Sequence, residues 1–316
     1  MKAVILYSGG LDSTLALHLI KEWGAEVFPL YVQNKFLCSK NLPDAPGLKT
    51  IDVSKEFIGI VQNPQHGYGK NLNPCIDCRI LMLKKAKEYM EKIKADFVVT
   101  GEVLDQRPLS QRFEQLMQLD KEAGLEGMVV RPLSGGLLPP TIPEKKGLID
   151  RNVLLQIKGR SRKFTLDMAQ KMRISQFTSP SGGCLLTDPG FCRRLADLMR
   201  TQEEMDVRDV ELLKIGRHFR LAPDTKLIVG RNETENATIE NLLTPKDLFL
   251  YVPDTGSPNA ILLGSKKFIK LAAAITARYS DKKDEQSVEV FYRNKKKVSK
   301  MKAKPVTNEE LAKWRL

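Results

Sequence analysis

The apolar positions of the chain fall into two textures. Lys2-Ala3-Val4-Ile5-Leu6-Tyr7 is a short β-prone run that reads as a buried strand. Thr14 to Trp23 places apolar residues at Leu15, Leu19 and Ile20 with Gly24 as a stop, which predicts a helix. Glu26 to Val32 predicts a second strand, set off centre by Pro29. A short strand at Ile51-Asp52-Val53, a long helix from Asp77 to Lys94 and a strand from Asp96 to Glu102 follow. Next come a helix from Arg112 to Glu122, a strand from Met128 to Leu133, a loop from Gly135 to Pro143 and a short basic helix from Lys163 to Arg173. Strands alternating with helices predict an α/β fold with a doubly wound, mostly parallel sheet. In such sheets ligands lie at the carboxyl ends of the strands, where Val32 falls, near an adenine ring if a nucleotide binds.

From about Val207 the segments become strand-like and basic, at Lys214 to Arg220 and Lys226 to Asn232. Strands at Leu248–Val252 and Val288–Tyr292 and an amphipathic helix at Lys266–Tyr279 predict a smaller α+β domain. The boundary is expected near Thr201 to Val207, giving domains 1–203 and 204–316.

The loop between the first strand and helix reads Ser8-Gly9-Gly10-Leu11-Asp12-Ser13. Two glycines let a backbone approach a phosphate, and the N–H groups of the first helical turn point at it. Ser8 and Ser13 add hydroxyls, and Asp12 makes sense beside phosphate if Mg²⁺ lies between them. The stretch matches neither Gly-Lys-Ser/Thr P-loops nor GxGxxG. It resembles the SGGxDS signature of the PP-loop ATP pyrophosphatases, which implies ATP held by its pyrophosphate end while the α-phosphate is attacked.

A hydrophobic fraction of 42% and charged fraction of 28% over 316 residues describe an ordinary globular protein. No apolar run reaches the ~18–20 residues of a membrane span, and a strand begins at residue 3 where a leader would stand, so a cytoplasmic protein without membrane contact is expected. The net charge of +13 suits a polyanionic partner, most simply nucleic acid. Five cysteines, an odd number, argue against a disulfide framework.

Cys75 and Cys78 lie in Asn73-Pro74-Cys75-Ile76-Asp77-Cys78-Arg79, at the start of the long helix, where the helix dipole favours thiolate. A CxxC alone fits zinc, thiol–disulfide exchange, a cluster or two core cysteines. No second CxxC completes a zinc ribbon. A third cysteine, Cys184, closes the turn Ser179-Pro180-Ser181-Gly182-Gly183. Three thiolates can hold three irons of a 4Fe–4S cluster and leave the fourth open to sulfide.

The pairing of SGGxDS with a CxxC and a distant cysteine is similar to the tRNA thiolation enzymes of that family. Residues 73–78 resemble tRNA 2-thiouridylases. Thr100-Gly101-Glu102 with Gln106 and Ser110-Gln111, and Arg131-Pro132-Leu133, resemble 4-thiouridine synthetases. The resemblance covers roughly the first 190 residues and implies an ATP-dependent tRNA sulfurtransferase. Its nucleotide site would comprise Tyr7, Ser8, Gly9, Gly10, Asp12, Ser13, Val32, Arg79, Thr100, Gly101 and Gln111, and its reactive residues Asp12, Cys75, Cys78 and Cys184, the three cysteines holding the cluster. ATP, Mg²⁺, tRNA and a sulfur donor (sulfide, or a persulfide from a cysteine desulfurase or carrier) are implied, and a homodimer is compatible with it. The THUMP and rhodanese domains of the relatives have no evident counterpart. A cluster-free enzyme would instead carry a persulfide on Cys184, resolved by Cys75 or Cys78. Adenylation of a small molecule and non-catalytic RNA binding are the competing functions.

Val229-Gly230-Arg231-Asn232-Glu233 with Glu235-Asn236 is similar to the NFACT RNA-binding domain, which implies RNA contact, with Phe219 and Tyr251 able to stack on bases and His218 a further candidate. The lysine-rich stretch from Arg293 to Lys304 reads as a solvated end. His18 reads as structural, and His18, His66 and His218 form no metal set. Cys38 and Cys192 read as ordinary, Cys38 being a spare sulfur carrier at most.

Overall fold

The computed structural model describes the chain except residues 39–43, 176, 178–182 and 295–296; most of the turn expected before Cys184 lies outside the described residues. Two compact units divide it, Met1–Asp188 and Pro189–Leu316.

The first unit runs β1 (Lys2–Leu6), α1 (Leu11–Glu22), β2 (Glu26–Gln33), β3 (Lys49–Asp52), α2 (Ser54–Gln62), α3 (Cys75–Ile93), β4 (Phe97–Thr100), α4 (Phe113–Glu122), β5 (Val129–Val130), α5 (Ile142–Lys145) and α6 (Lys163–Lys171). Its five strands pair in the order β3-β2-β1-β4-β5, all parallel. The chain steps outward from β1 to β3, then crosses back to place β4 on the other side of β1. The carboxyl ends of β1 and β4 therefore flank the switch point where such sheets bind ligands. Ala3, Ile5, Phe97 and Val99 pack against Ala16, Leu17 and Ile20 of α1 on one face.

Pro29 sits opposite Ile5 in β2, and β3 pairs only from Leu30 onward. The strand has one neighbour at that point, so the missing N–H breaks no second ladder. The strand expected over Met128–Leu133 shrinks to two residues. The N–H groups of Ser134 and Gly135 turn back onto the Arg131 carbonyl at 3.1 and 2.7 Å and curl the chain away.

Arg131 is buried and anchors β4 to α4. Its guanidinium donates two hydrogen bonds to Asp120, at 2.7 and 2.8 Å, and one to Glu102 at 3.1 Å.

The second unit comprises α7 (Pro189–Thr201), α8 (Val207–Lys214), β6 (Arg217–Ala222), β7 (Thr225–Val229), α9 (Glu233–Asn241), β8 (Leu248–Tyr251), β9 (Ala260–Leu263), α10 (Ile269–Arg278), β10 (Val288–Asn294), β11 (Lys297–Ala303) and α11 (Asn308–Ala312). The division falls one helix earlier than the sequence texture suggests. Asp197 of α7 accepts from Arg220 of β6 at 2.6 and 3.1 Å and from Lys226 of β7 at 3.5 Å, which ties α7 to this unit.

The six strands form an antiparallel sheet in the order β11-β10-β8-β9-β7-β6. Leu227, Val229, Leu248, Leu250 and Leu262 face α10, while Ile228, Phe249 and Ile261 face Leu212 of α8 and Ile239 of α9. Both faces are covered, so the strands read as continuous apolar runs rather than alternating ones. The lysine-rich stretch is not a loose end: its residues 297–303 form β11, paired with β10 from Val288↔Ala303 to Asn294↔Lys297. Exposed Lys297, Lys300 and Lys302 on this edge strand discourage pairing with another chain.

Arg131→Ala would leave Glu102 and Asp120 buried without their cation. Denaturant unfolding of the variant is expected to show a loss of about 3–5 kcal/mol; a loss below about 1 kcal/mol would mean the triad does not organise the unit.

Candidate functional site

A cavity of about 440 Å³ opens at the carboxyl ends of β1, β2 and β4. Tyr7, Ser8, Gly10, Asp12, Ser13, Val32, Arg79, Thr100, Gly101 and Gln111 line it, as does Cys78. Gly9, Cys75 and Cys184 are not part of its wall. Gly9 instead makes the turn, with φ of 71°, a conformation glycine adopts at little cost.

The two serines close the loop on itself. Ser13 Oγ donates to the Gly10 carbonyl at 2.9 Å and accepts from the Ser8 N–H at 3.3 Å, and the two hydroxyls meet at 3.2 Å. Their first task is thus to fix the turn ahead of α1, whose first-turn N–H groups have no partner within the helix. Asp12 Oδ2 accepts from Gln106 Nε2 at 3.2 Å, while Oδ1 is buried and has no hydrogen-bond partner. An orphaned buried carboxylate oxygen beside an anion-binding turn fits a cation such as Mg²⁺. Gln111 Oε1 is likewise buried and unpartnered.

Gly101 touches the loop by backbone. A Cβ there would lie 2.5 Å from the Asp12 carbonyl oxygen and 2.6 Å from the Ser13 nitrogen. Glu102 follows, hydrogen-bonded by Thr100 at 3.0 Å and 3.7 Å from Arg79. Burial works to raise its pKa, but the charges of Arg131 and Arg79 outweigh it and hold the carboxyl below its usual range.

Cys75 opens α3 and Cys78 stands one turn on. Cys184 reaches them from the far end of the unit through an antiparallel bridge, Leu37↔Cys184. In that bridge the Cys38 N–H donates to the Gly183 carbonyl at 3.0 Å and the Leu185 N–H to the Phe36 carbonyl at 2.9 Å. Cys184 lies close enough to Cys75, Cys78 and Cys38 for their charges to act on it. At Cys78 the thiolate expected near the helix start is not what the surroundings favour. Burial pushes Cys78 up to about 11 and Cys184 up to about 12, since a low dielectric penalises the charged form more than one helix end rewards it. Among the described residues no three His, Cys, Asp or Glu side chains are set to hold a single metal ion.

Cys38, Arg107 and Arg162 also line the cavity. Sequence reasoning assigned none of them to the site: Cys38 and Arg162 lie outside any motif, and Arg107 falls between the matched residues of one. The spacing Gln106-Arg107 inside the Thr100 to Gln111 segment was the available signal for Arg107. His66 is a tie rather than a ligand: Nδ1 meets Asp77 Oδ1 at 3.0 Å and Nε2 meets Glu122 Oε1 at 3.1 Å. Asp77 also accepts from the backbone N–H groups of Gln65 and His66 at 3.2 and 3.1 Å, fixing the loop that leads into Cys75. His18, read as structural, is exposed on α1.

In the second unit the residues around Val229 serve the fold. Asn232 caps α9 by accepting from the Glu235 N–H at 3.0 Å, and Glu235 accepts from Gly216 N–H and Arg231 N–H at 3.1 and 2.9 Å. A Cβ at Gly230 would collide with Asn236 Oδ1. Phe219 is fully buried and packs near Tyr279, so it cannot stack on a base. His218 is buried with Nε2 at 2.8 Å from the Ile215 carbonyl, and burial holds its pKa well below the usual value, so it is no RNA contact either. Tyr251 lies between Phe249 and Phe291 in a tilted aromatic row. Cys192 is buried on α7.

Residues 216–315 match the family described as NFACT protein RNA binding domain. The chain is 30% identical over 118 residues to a probable tRNA sulfurtransferase of Methanosarcina acetivorans, covering 33% of this chain and 28% of that protein. It is 29% identical over 147 residues to a probable tRNA sulfurtransferase of Thermococcus kodakarensis, covering 42% and 37%. It is 25% identical over 250 residues to the tRNA-specific 2-thiouridylase MnmA of Petrotoga mobilis, covering 69% and 64%. The chain thus spans between 28% and 64% of the length of these relatives. Among solved structures, a 4-thiouridine synthetase–RNA complex with bound ATP aligns with a TM-score of 0.34 and 18% identity, covering 67% of this chain and 52% of that one. The U34-tRNA thiolase NcsA of Methanococcus maripaludis with its 4Fe–4S cluster aligns with a TM-score of 0.29 and 14% identity, covering 67% and 69%.

Two predictions follow from the geometry. Gly101→Ala must push the start of α1 aside, so the folded variant is expected to lose nucleotide binding in calorimetric titration; unchanged affinity would show that the contact can relax. The His66 pKa is raised above its unfolded value by the hydrogen bond to Asp77, against burial, with Glu122 adding to it. Its stabilisation is therefore fully present below about pH 6.5 and is lost as pH rises through the raised folded value. His66→Gln should cost stability below pH 6.5, down to where the carboxylates protonate, with the difference from wild type closing at higher pH. A pH-independent difference would show that the tie does not depend on charge.

Proposed function

We propose that the chain is an ATP-dependent tRNA thiolase, in which the first unit adenylates a uridine carbonyl and sulfur replaces its oxygen. The second unit would contribute RNA contact through its basic surface. The observation that carries this reading is the position of Cys78, in the wall of the same cavity as the Ser8–Ser13 loop, with Cys75 and Cys184 gathered about it.

ATP would lie across the loop, its phosphates facing the first-turn N–H groups of α1. Asp12 Oδ1 would hold Mg²⁺ against them, and Gln106 would keep the carboxylate turned to the metal through its bond to Oδ2. The uridine oxygen attacks the α-phosphorus, the bond to the β-phosphate breaks, and pyrophosphate leaves. The loop N–H groups and Arg79 stabilise the charge that develops. The adenylated carbon is then open to a sulfur nucleophile, and AMP departs with the former carbonyl oxygen.

Cys75, Cys78 and Cys184 suit a 4Fe–4S cluster as a donor set. No disulfide joins them, and burial disfavours the thiolate at Cys78 and at Cys184 unless a cation lies beside them. Such a cluster would supply an open iron able to present sulfide. A second reading is favoured by the fourth thiol, Cys38, next to Cys184. A Cys184 persulfide attacks the adenylated carbon, AMP leaves, and Cys75 or Cys78 attacks the Cys184 sulfur. The S–S bond breaks to leave the thiocarbonyl and a protein disulfide, which an external dithiol must reduce.

Cys184→Ala is expected to abolish thiolation, read by mass spectrometry of tRNA nucleosides, while ATP-analogue binding stays close to wild type. Full thiolation by that variant would overturn both chemistries. Iron and sulfide content after anaerobic purification separates them: an iron-free protein active with a persulfide donor removes the cluster. Pyrophosphate release that needs no tRNA would favour a small-molecule substrate instead.

A further inference from the structure

The cavity holds more positive charge than its own acids neutralise. Arg79, Arg107 and Arg162 all line it, against the two carboxylates of Asp12 and Glu102. Glu102 is already engaged by Arg131 at 3.1 Å, and Asp12 gives one oxygen to Gln106. Arg79 has only the 3.7 Å approach to Glu102. Among the described residues neither the Arg107 nor the Arg162 guanidinium has an ion pair or hydrogen bond.

Backbone hydrogen bonds fix the loop that carries Arg107. Arg107 stands at the rim on a tight loop in which Asp105 adopts a φ of 60° and its N–H donates to the Gln111 carbonyl at 2.8 Å. The N–H groups of Ser110 and Gln111 both return to the Arg107 carbonyl, at 3.2 and 2.9 Å, and the buried Ser110 and Gln111 anchor the loop. The segment that leads to Arg162 is tied to the same loop: the Gly159 N–H donates to the Leu104 carbonyl at 2.7 Å. Two cations held near each other on fixed backbone repel, and the Arg79 charge, with desolvation adding to it, lowers the Arg107 pKa. Such an arrangement is stable only at a cost, which an anion placed between the guanidiniums removes.

We propose that Arg107, with Arg79 and Arg162 beside it, is a phosphate-gripping residue for the pyrophosphate end of the bound nucleotide. This rests on the ATP-binding reading of the cavity and names the wall that complements the Ser8–Ser13 loop. The loop and α1 contribute N–H groups and the cation at Asp12. Arg107 contributes the planar fork that binds phosphate oxygens in pairs. It would hold the two phosphates that leave, so it discriminates a triphosphate from a monophosphate. The source of phosphate is the nucleotide rather than the RNA backbone, because Arg107 lines the same cavity as the Ser8–Ser13 loop, close enough to Asp12 for its charge to act on the guanidinium.

The test titrates the full chain, with Mg²⁺, against α,β-methylene-ATP and against AMP. Arg107→Ala should weaken binding of the triphosphate analogue by about tenfold or more and leave AMP binding nearly unchanged. Arg107→Lys should restore only part of the loss, since it returns the charge without the fork. The melting temperature of the ligand-free Arg107→Ala protein should equal or exceed that of wild type, because a repulsion has been removed. Unchanged affinity for the analogue, equal weakening for AMP, or a loss confined to tRNA binding would each overturn the assignment. Wild-type protein that binds the analogue through Arg107 yet thiolates no tRNA would sink the thiolase reading and leave this one standing.

Discussion

The close approach of Gly101 to Asp12 and Ser13 is the constraint on which the site depends. The end of β4 meets the start of α1 backbone to backbone, with no room for a side chain between them. That contact brings two loops from opposite sides of the switch point into one wall. From the β1 side come Gly10 and Asp12; from the β4 side come Glu102, Gln106, Arg107 and Gln111. The buried triad of Arg131, Glu102 and Asp120 then fixes the β4 side to α4. A carboxylate in this position is costly unless paired, and its pairing with Arg131 leaves Arg79 only a distant share. The neutralisation of the core and the positive excess of the cavity are thus two results of one arrangement.

The same economy governs the thiols. Cys78 and Cys184 are held as neutral groups by their surroundings, while guanidiniums stand nearby. The thiolation chemistry proposed needs a nucleophilic sulfur only after the carbonyl has been activated. A neutral resting set is less exposed to adventitious oxidation than a thiolate set, because the thiolate is the reactive form. A bound cluster or an incoming persulfide would change that state, and each brings its own charge to do so.

Motifs that are contiguous in sequence were legible as site elements because contiguity fixes geometry. Ser8 to Ser13 and Cys75 to Cys78 each sit on one turn, and Thr100 to Gln111 is one loop closed by the Asp105 N–H on the Gln111 carbonyl, so the side chains of each share a neighbourhood. The five-stranded parallel sheet followed from alternation of strands and helices for the same reason. What lies far apart in sequence was not legible. Cys38 comes beside Cys184 through an isolated bridge, and Arg162 comes to the cavity through a tie between Gly159 and Leu104; neither pairing has a local signature. The thiolate expected at Cys78 failed because burial is a tertiary quantity that a dipole argument leaves out. The lysine-rich strand failed because charge suggested solvent, while the pairing partner β10 lay just before it across residues 295–296.

The second unit separates what a motif reports from what it does. Gly230, Asn232, Glu235 and Asn236 are spent on one turn: a cap, a backbone acceptor and a side chain that leaves no space beside a glycine. Arg231 is held by Glu235. A motif consumed in this way identifies the fold and supplies little surface for a partner. Phe219 and His218 are likewise spent, one in the core and one on a carbonyl. If this unit meets RNA, the contact must come from groups the fold leaves uncommitted. Exposed Lys297 and Lys302 on the edge strand β11 answer that description, and they contribute charge without base-specific geometry. Under the proposed thiolation, discrimination among uridines would then rest on the cavity of the first unit.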